Sequence, residues 1–290
     1  MRLVTETIEK LKNLGIRGNL IDIIVTRTYT GPWTLTYVEY DDHKIGCGIA
    51  NNETNLPDNT SFLKELIGLD SYYAIEKLEN IGENVFIRSL KTSIASALSH
   101  RLMNDDNFLE TAGYKVQSSL GPGFSLMDPS KLVKNADVVV TVGFHVMLTP
   151  LIATIAKKLY VTELMDLKEL EVIDFKGLNT NLEILPANKN REILPQADVV
   201  YITGQTIVND TLEEILDWSK NARTKIIYGP TSSFYPEILF KNGVDVSSAL
   251  GLPNNLQFRQ QFILSRGWWQ GLKGIKMMLV RKEVNQNENE

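Results

Sequence analysis

The chain has one cysteine, no long hydrophobic run and no excess of positive charge. Among its 290 residues the single cysteine, Cys47, excludes an internal disulfide and any CxxC redox or metal site. No apolar run reaches the roughly 20 residues that a membrane-spanning helix needs. The formal net charge of −5 argues against nucleic-acid binding, which requires a clustered basic surface. We therefore expect a cytoplasmic globular protein that binds neither nucleic acid nor membranes.

Several motifs of known enzyme classes are also absent. The sequence contains no Walker lysine motif, no G-x-S-x-G elbow and no HExxH zinc motif. The run that follows the first strand of the Rossmann-like series, "GFHVML", does not match G-x-G-x-x-G, so NAD is not expected as an ordinary hydride cofactor.

The first part of the chain predicts strands followed by helices. Residues 1–15 have helical apolar spacing, and three strand-like runs follow at 20–29, 33–40 and 44–50. Short turns separate these runs, which favours an antiparallel meander. Two helical patterns then cover 71–80 and 84–104. We interpret residues 1–105 as an α+β domain.

The remainder of the chain alternates strands and helices. Apolar runs rich in Val, Ile and Tyr occur at 136–143, 157–164, 197–204 and 224–229. Nearly continuous apolarity is typical of strands that are buried on both faces of a parallel sheet. Two further runs, at 243–250 and 275–283, are candidate strands. Residues 106–282 therefore predict a Rossmann-like, mostly parallel sheet, and residues 283–290 a flexible tail.

Ligands of such sheets bind beyond the carboxyl ends of the strands. After the first strand, Gly143 allows a tight turn and His145 is a candidate ligand contact, either a general base or a metal ligand. A histidine that only hydrogen-bonds locally is the alternative. After the second strand, Glu163 follows Gly143 at the spacing of a Rossmann acid that binds ribose hydroxyls.

Two polar turns follow the third and fourth strands. In "TGQTIVNDT" the ligand-facing candidates are Thr203, Gly204, Gln205, Thr206 and Asn209. Residues 209–211 also suit a helix cap, and the amides after Gly204 should favour an anion or a carbonyl oxygen. In "GPTSSFYP" the candidates for holding a phosphate, a carboxylate or a carbonyl are Gly229, Pro230, Thr231, Ser232 and Ser233. The alternative is that these hydroxyls satisfy their own backbone.

The strings "VGFH", "LPQADVVYITGQTIVNDTLEEIL" and "GPTSSFYPEILFKNGVDV" resemble a prokaryotic family of putative heavy-metal-chelation proteins. The resemblance implies an enolase N-terminal-like domain, a Rossmann-like domain, a homodimer and a site between the domains. The family's turn residues fall on Gly143, His145, Thr203, Gly204, Thr206, Asn209, Gly229 and Pro230. Where the family has an asparagine in the long helix, this chain has Ser96.

The resemblance and the residues together favour binding of a small ligand, with a heavy metal or a metal chelate as the candidate, in an interdomain cleft. Soft metals prefer thiolate, and Cys47 is the one candidate, so a chelated metal fits better than a bare one. One alternative is a lyase or transferase with a nucleotide-like cofactor at Glu163. Another is a dimeric scaffold without catalysis. Trp268 and Trp269 are expected to form a dimer or interdomain contact.

Overall fold

The computed structural model describes residues 1–26, 32–52, 60–120, 124–164, 181–267 and 272–282. The predicted flexible tail at 283–290 and the predicted contact through Trp268 and Trp269 lie outside these residues. No helix within the described ranges combines the length and the apolarity that a membrane crossing requires.

The first part of the chain forms a three-stranded antiparallel sheet and helices. The strands pair in the order β1 (Gly18–Val25), β2 (Trp33–Tyr40) and β3 (Ile45–Asn51). The helices are α1 (Arg2–Asn13), α2 (Leu63–Leu66), α3 (Ser71–Ile81), α4 (Val85–Met103) and α5 (Asp106–Thr111). The predicted meander followed by helices is confirmed, and it is the arrangement that the enolase N-terminal-like resemblance implied.

Helix α4 packs directly against strand β3 because glycines open the sheet surface at the contact. A Cβ atom at Gly48 would lie well inside van der Waals distance of the backbone of Ser93 and Ala97, and one at Gly46 would meet the carbonyl of Ala97. Hydroxyl groups fill the remaining contact: Thr36 Oγ1 and Ser93 Oγ lie 2.6 Å apart. From this position α4 also reaches the second part of the chain, where Ser96 Oγ donates to the carbonyl of Ser233 at 2.7 Å.

The second part of the chain forms an eight-stranded sheet in the order β4-β11-β10-β9-β8-β5-β6-β7. Its strands are β4 (Tyr114–Leu120), β5 (Val138–Val142), β6 (Lys158–Glu163), β7 (Leu182–Pro186), β8 (Val199–Thr203), β9 (Thr224–Tyr228), β10 (Val246–Gly251) and β11 (Lys276–Lys282). Strands β5 to β10 run parallel to one another, while β11 runs antiparallel to its two neighbours, β10 and β4. The predicted strands, including the two later candidates, are confirmed; β4 and β7 were not predicted.

Helices cover both faces of this sheet, as the doubly wound prediction required. They are α6 (Leu148–Ile155), α7 (Asn190–Ile193), α8 (Gln205–Val208), α9 (Leu212–Trp218), α10 (Glu237–Lys241) and α11 (Leu256–Leu264). Alternate residues along a strand enter different hydrophobic clusters. Val200 joins the cluster that contains Leu90 and Ile215, whereas Val199 joins the one that contains Ile152 and Phe258.

The hydrophobic core does not stop at the predicted domain boundary. The cluster that contains Val200 also contains Val4, Leu90 and Ile94 from the first part of the chain. The two parts therefore share apolar packing, in addition to the backbone contacts of α4. The division into 1–105 and 106–282 stays a prediction.

Replacing Gly48 with alanine tests how tightly α4 is seated on β3. The added methyl group would collide with backbone atoms of Ser93 and Ala97, which cannot move aside as a side-chain tip can. We expect a loss of at least about 1–3 kcal/mol in the free energy of unfolding, measured by denaturant titration. Gly15→Ala is the control, since a Cβ there has nothing within 4 Å and meets only the cost of its positive φ. Equal losses in the two variants would contradict the close packing.

Candidate functional site

The carboxyl ends of β5, β6 and β8 and the end of β3 surround a cavity of about 780 Å³. We call it the amide compartment, because side-chain amides dominate its polar lining. Its amide residues are Asn51, Asn52, Asn188, Asn190, Gln205 and Asn209. The other functional side chains in the lining are Thr162, Glu163, Thr203, Thr206, Thr211, Glu214 and Trp218. The cavity has a volume typical of small-molecule sites.

A second cavity of about 210 Å³ adjoins the first. We call it the aromatic compartment, because its lining includes Trp33, Phe144, His145, Tyr228, Met127 and Met277. Both linings contain Gly143, Glu163, Thr203 and Gln205. The structure thus brings most of the predicted site residues to one edge of the sheet and divides them between a polar and an aromatic chamber.

The turn after β5 is held in place by Glu163. Its Oε2 accepts a hydrogen bond from the amide of Phe144 at 2.8 Å, and its Oε1 accepts one from the amide of Leu164 at 2.8 Å. Gly143 has φ of +88°, and a Cβ there would lie 2.8 Å from Cγ2 of Thr203. Glycine is therefore required both by the backbone conformation and by the close approach of β8. Glu163 places its charge at the junction of the two compartments.

His145 hydrogen-bonds to the first turn of α6. Its Nδ1 accepts from the amides of Met147 at 3.2 Å and Leu148 at 3.1 Å. Burial lowers the pKa of His145, so the ring is neutral and its proton lies on Nε2. The ring also makes an edge contact with Tyr228, with centroids 5.5 Å apart. In this tautomer the imidazole can donate a hydrogen bond but has no free nitrogen lone pair for a metal.

The stretch "TGQT" begins a short helix rather than presenting free amides. The amide of Gly204 donates to the carbonyl of Tyr228 at 2.7 Å, and the hydroxyl of Thr206 donates to the carbonyl of Thr203 at 2.7 Å. The expected anion site at these amides is therefore wrong at Gly204, because the sheet itself uses its N–H. Gln205 is exposed and lines both compartments, as the partly buried Thr203 also does, so these two side chains of the stretch keep access to a ligand.

The predicted helix cap in "NDT" is also wrong. Helix α9 starts after Thr211, whose side chain makes no capping hydrogen bond. Asp210 has a left-handed backbone with φ of 60°, and its carboxylate pairs with the amino group of Met1 at 2.5 Å. Asn209 lines the amide compartment instead. Thr211 and Glu214 line that compartment as well.

The hydroxyls of "GPTSS" bind protein backbone. Thr231 Oγ1 accepts from the amide of Asn51 at 3.0 Å, Ser232 Oγ donates to the carbonyl of Ser248 at 3.0 Å, and Ser233 Oγ accepts from the amide of Leu250 at 2.8 Å. Gly229, Pro230 and Thr231 line the aromatic compartment, whereas Ser232 and Ser233 line neither compartment. For the two serines this geometry favours the alternative that these hydroxyls support the backbone.

Two buried asparagines of the amide compartment, neither singled out from the sequence, have unpaired polar atoms. Asn52 is 2% exposed and Asn190 is 6% exposed. Asn52 Oδ1 accepts from Thr34 Oγ1 at 2.8 Å, but its Nδ2 has no hydrogen-bond partner among the described residues. The same holds for Oδ1 of Asn190. The adjacent asparagines at 51 and 52, directly after the predicted strand at 44–50, were the available signal in the sequence.

The charged residues in the described lining of both compartments are carboxylates, Glu163 and Glu214. His145 is neutral, and neither lysine nor arginine occurs among the lining residues that the structure describes. An anionic ligand would therefore face like charge without a compensating cation. The predicted preference of this edge for an anion does not fit the lining.

The donor atoms present do not fit a bare heavy-metal ion. Within the described ranges, no group of three or more His, Cys, Asp or Glu side chains is placed to hold a metal. Burial raises the pKa of the Cys47 thiol, and the thiol is enclosed beside Tyr37. A soft metal requires thiolate, so the one cysteine of the chain cannot supply it here.

Replacing Asn190 with leucine tests whether this amide is a site residue. A buried unpaired acceptor costs about 1–3 kcal/mol, so removing it should leave the melting temperature unchanged or raise it. Asn181→Leu is the matched control, because Nδ2 of Asn181 donates to the carbonyls of Ala153 at 3.0 Å and Ala156 at 2.7 Å. The control should melt at a lower temperature. A clear loss of stability in Asn190→Leu would show that the amide supports the fold.

The stability of the chain should fall in mild acid. The folded pKa of His145 lies below its ordinary value of about 6.5, so the unfolded state binds the proton more readily. The free energy of unfolding therefore decreases as the pH falls through about 6.5. The variant His145→Asn offers an oxygen in place of Nδ1 and should narrow the difference in melting temperature between about pH 7.5 and about pH 5.5.

His43→Asn is the control for this measurement, because His43 is exposed in a turn with a backbone that asparagine tolerates. His43→Asn should not narrow the difference in melting temperature between the two pH values. His100, whose pKa burial also lowers, accounts for pH dependence that remains in His145→Asn. An unchanged difference in His145→Asn would contradict the buried, neutral state of His145.

Two solved structures share the whole fold. A protein of unknown function from Desulfitobacterium hafniense, assigned to the DUF364 family, matches with a TM-score of 0.66 and 18% identity, over 97% of this chain and 99% of that one. A DUF364 protein of unknown function from Pyrococcus horikoshii matches with a TM-score of 0.65 and 18% identity, over 96% and 99% of the two chains. At this identity the likeness establishes the fold.

Sequence comparison agrees over the second part of the chain. An uncharacterized protein of Methanocaldococcus jannaschii, MJ0500, is 53% identical over 49 residues, which span 17% of this chain and 18% of that protein. The DUF364 family model, described as putative heavy-metal chelation, matches residues 126–260, which include the predicted site turns. Over these residues the predicted resemblance to this family is confirmed.

Proposed function

We propose that this protein binds a small organic molecule, or a metal carried within an organic chelate, at the carboxyl ends of the parallel strands. The observation that carries the proposal is a cavity of about 780 Å³ whose buried asparagines, Asn52 and Asn190, have polar atoms left unpaired. Buried polar groups in folded proteins are normally paired, so such atoms mark positions that a ligand can satisfy. The adjoining aromatic compartment offers an apolar surface beside them.

The chemistry of the lining supports a chelate over a bare cation. Both oxygens of Glu163 accept backbone hydrogen bonds, and Nδ1 of His145 does the same. Amide and hydroxyl groups, which dominate the larger compartment, recognise organic polar groups by hydrogen bonds. Such a ligand agrees with the family description of heavy-metal chelation. The organic part of the ligand would hold the metal, and the protein would hold the organic part.

A second candidate is a lyase or transferase that uses a nucleotide-like cofactor. The observation in its favour is the position of Glu163 at the end of β6, beside the turn at Gly143, where a Rossmann acid meets ribose hydroxyls. The scaffold alternative has less support, because a dimer contact does not need a polar cavity of this volume. The homodimer and the cytoplasmic location stay predictions.

Gln205→Ala tests the proposed site with little risk to the fold. Gln205 is exposed and lines both compartments, so its loss should lower ligand affinity without lowering the melting temperature. The assay is a thermal-shift panel followed by calorimetry, with three classes of probe: free divalent metals, metals in organic chelates, and adenosyl compounds. We expect a chelate to raise the melting temperature and Gln205→Ala to weaken its binding about tenfold.

Gln260→Ala is the matched control, because Gln260 is an exposed glutamine on α11 and lines neither compartment. It should bind like the parent protein. Stabilisation by adenosyl compounds alone would favour the cofactor-dependent enzyme. Binding that both glutamine variants leave intact would count against a ligand site at the strand ends, and so would a shift from free metals alone.

A further inference from the structure

One face of helix α9 forms a wall of the amide compartment. The lining residues on this face are Thr211, which directly precedes the helix, and Glu214, Ile215 and Trp218 within it. They follow one another at intervals of three, one and three residues, which is the spacing of side chains along one face of an α-helix. We call this face the α9 wall. It offers a carboxylate and an indole ring, four residues apart, to the same cavity.

The carboxylate of Glu214 is not committed to the protein. Glu214 is exposed, and its side chain makes no hydrogen bond or ion pair with the residues that the structure describes. Glu213, its neighbour in the same helical turn, differs in both respects. It lies outside the linings of the two compartments, and its Oε2 is 3.1 Å from Nη2 of Arg2. Of these two adjacent carboxylates, Glu214 is therefore the one that a ligand in the cavity can reach.

The charges of the cavity favour a cation beside Glu214. Glu163 adds a second negative charge at the junction of the compartments, and the lining that the structure describes contains neither lysine nor arginine. Two opposite charges attract more strongly in a partly enclosed cavity than in bulk water. A positively charged group of the ligand would gain this attraction, whereas an anionic group would be repelled.

The neighbouring side chains suit a protonated amine. Gln205 and Asn209 line the same compartment, and their side-chain amides make no hydrogen bond with the described residues. Because neither end of these amides is held, each can turn its oxygen towards an N–H donor. The indole ring of Trp218 supplies the π surface on which organic cations bind best. An ammonium group can thus use a carboxylate, amide oxygens and an aromatic ring at once.

We infer that the α9 wall binds a protonated amine of the ligand, with Glu214 as its ion-pair partner and Trp218 as the aromatic surface beside it. This inference rests on the proposed ligand site and names the charge and the chemical group that the site selects. The ligand is then an organic amine, or a chelate whose organic part carries an amine.

Three matched fragments test the inference. Benzylamine, benzyl alcohol and phenylacetate share a phenyl ring and a methylene group, and they carry an ammonium, a hydroxyl and a carboxylate group, respectively. Dissociation constants are measured by ligand-observed NMR titration of the full chain. We expect benzylamine to bind about tenfold more tightly than benzyl alcohol, and phenylacetate to bind least tightly. Added salt should weaken the binding of benzylamine and leave that of benzyl alcohol unchanged.

Glu214→Gln is the test variant, because it keeps the size of the side chain and removes its charge. It should weaken benzylamine binding about tenfold, to the affinity of benzyl alcohol. Glu213→Gln is the matched control: it removes the same charge from the same helical turn, outside both compartments, and should bind like the parent. Trp218→Leu should weaken benzylamine binding by a larger factor than benzyl alcohol binding, and equal factors would overturn the role of Trp218.

The outcomes separate this inference from the proposed function. If benzyl alcohol or phenylacetate binds as tightly as benzylamine, and Gln205→Ala still weakens that binding, the inference is overturned and the ligand site stands. Benzylamine binding that Glu214→Gln and Glu213→Gln change to the same extent also overturns it. If none of the three fragments binds at millimolar concentration, the inference fails. The proposed function fails with it when the wider probe panel does not bind either.

Discussion

The cavity exists because helix α4 and strand β3 are fastened to the carboxyl edge of the large sheet. The amide of Asn51 donates to Thr231 Oγ1 at 3.0 Å, Ser96 Oγ donates to the carbonyl of Ser233 at 2.7 Å, and the amide of Tyr235 donates to Ser99 Oγ at 2.9 Å. These bonds are buried, and each joins a residue before 105 to one after 230. Without them the end of β3 would not lie over the strand ends, and Asn52 would not face the cavity.

This attachment explains why so many hydroxyls near the site have no access to a ligand. Ser96 and Ser99 hydrogen-bond backbone groups of the opposing part of the chain, and Ser233 Oγ accepts from the amide of Leu250. A buried backbone group without a partner is costly, so a contact between two sheets through polar turns requires such side chains. Ser96, which stands where the resembling family has an asparagine, takes part in this attachment and lines neither compartment.

The sequence predicts the parallel sheet well because burial on both faces leaves a local signature. Runs such as 136–143 and 197–204 are apolar throughout, and they pair in parallel as β5 and β8. Strand β4, in contrast, is partly exposed at the edge of the sheet, and its sequence, "YKVQSSL", is largely polar. The sequence therefore gives no clear signal for this strand. The parallel topology places the turns after the strands at one edge of the sheet, and the residues of these turns lie together there. What each side chain does there depends on neighbours distant in sequence, so the caps at 209–211 and the role of Ser233 could not be derived.

Asn51 and Asn52 are a further case in which the sequence does not reveal the place of a residue in the site. Asn51 ends strand β3 and Asn52 follows it. No local pattern connects them with Thr203 or Glu163, which are more than a hundred residues away. They also lie outside residues 126–260, the segment that the DUF364 family model matches. That segment supplies the sheet edge, the acidic junction at Glu163 and the buried Asn190. Asn52 comes from the other part of the chain. The polar lining of the larger cavity is therefore completed where the two parts meet, rather than by residues 126–260 alone.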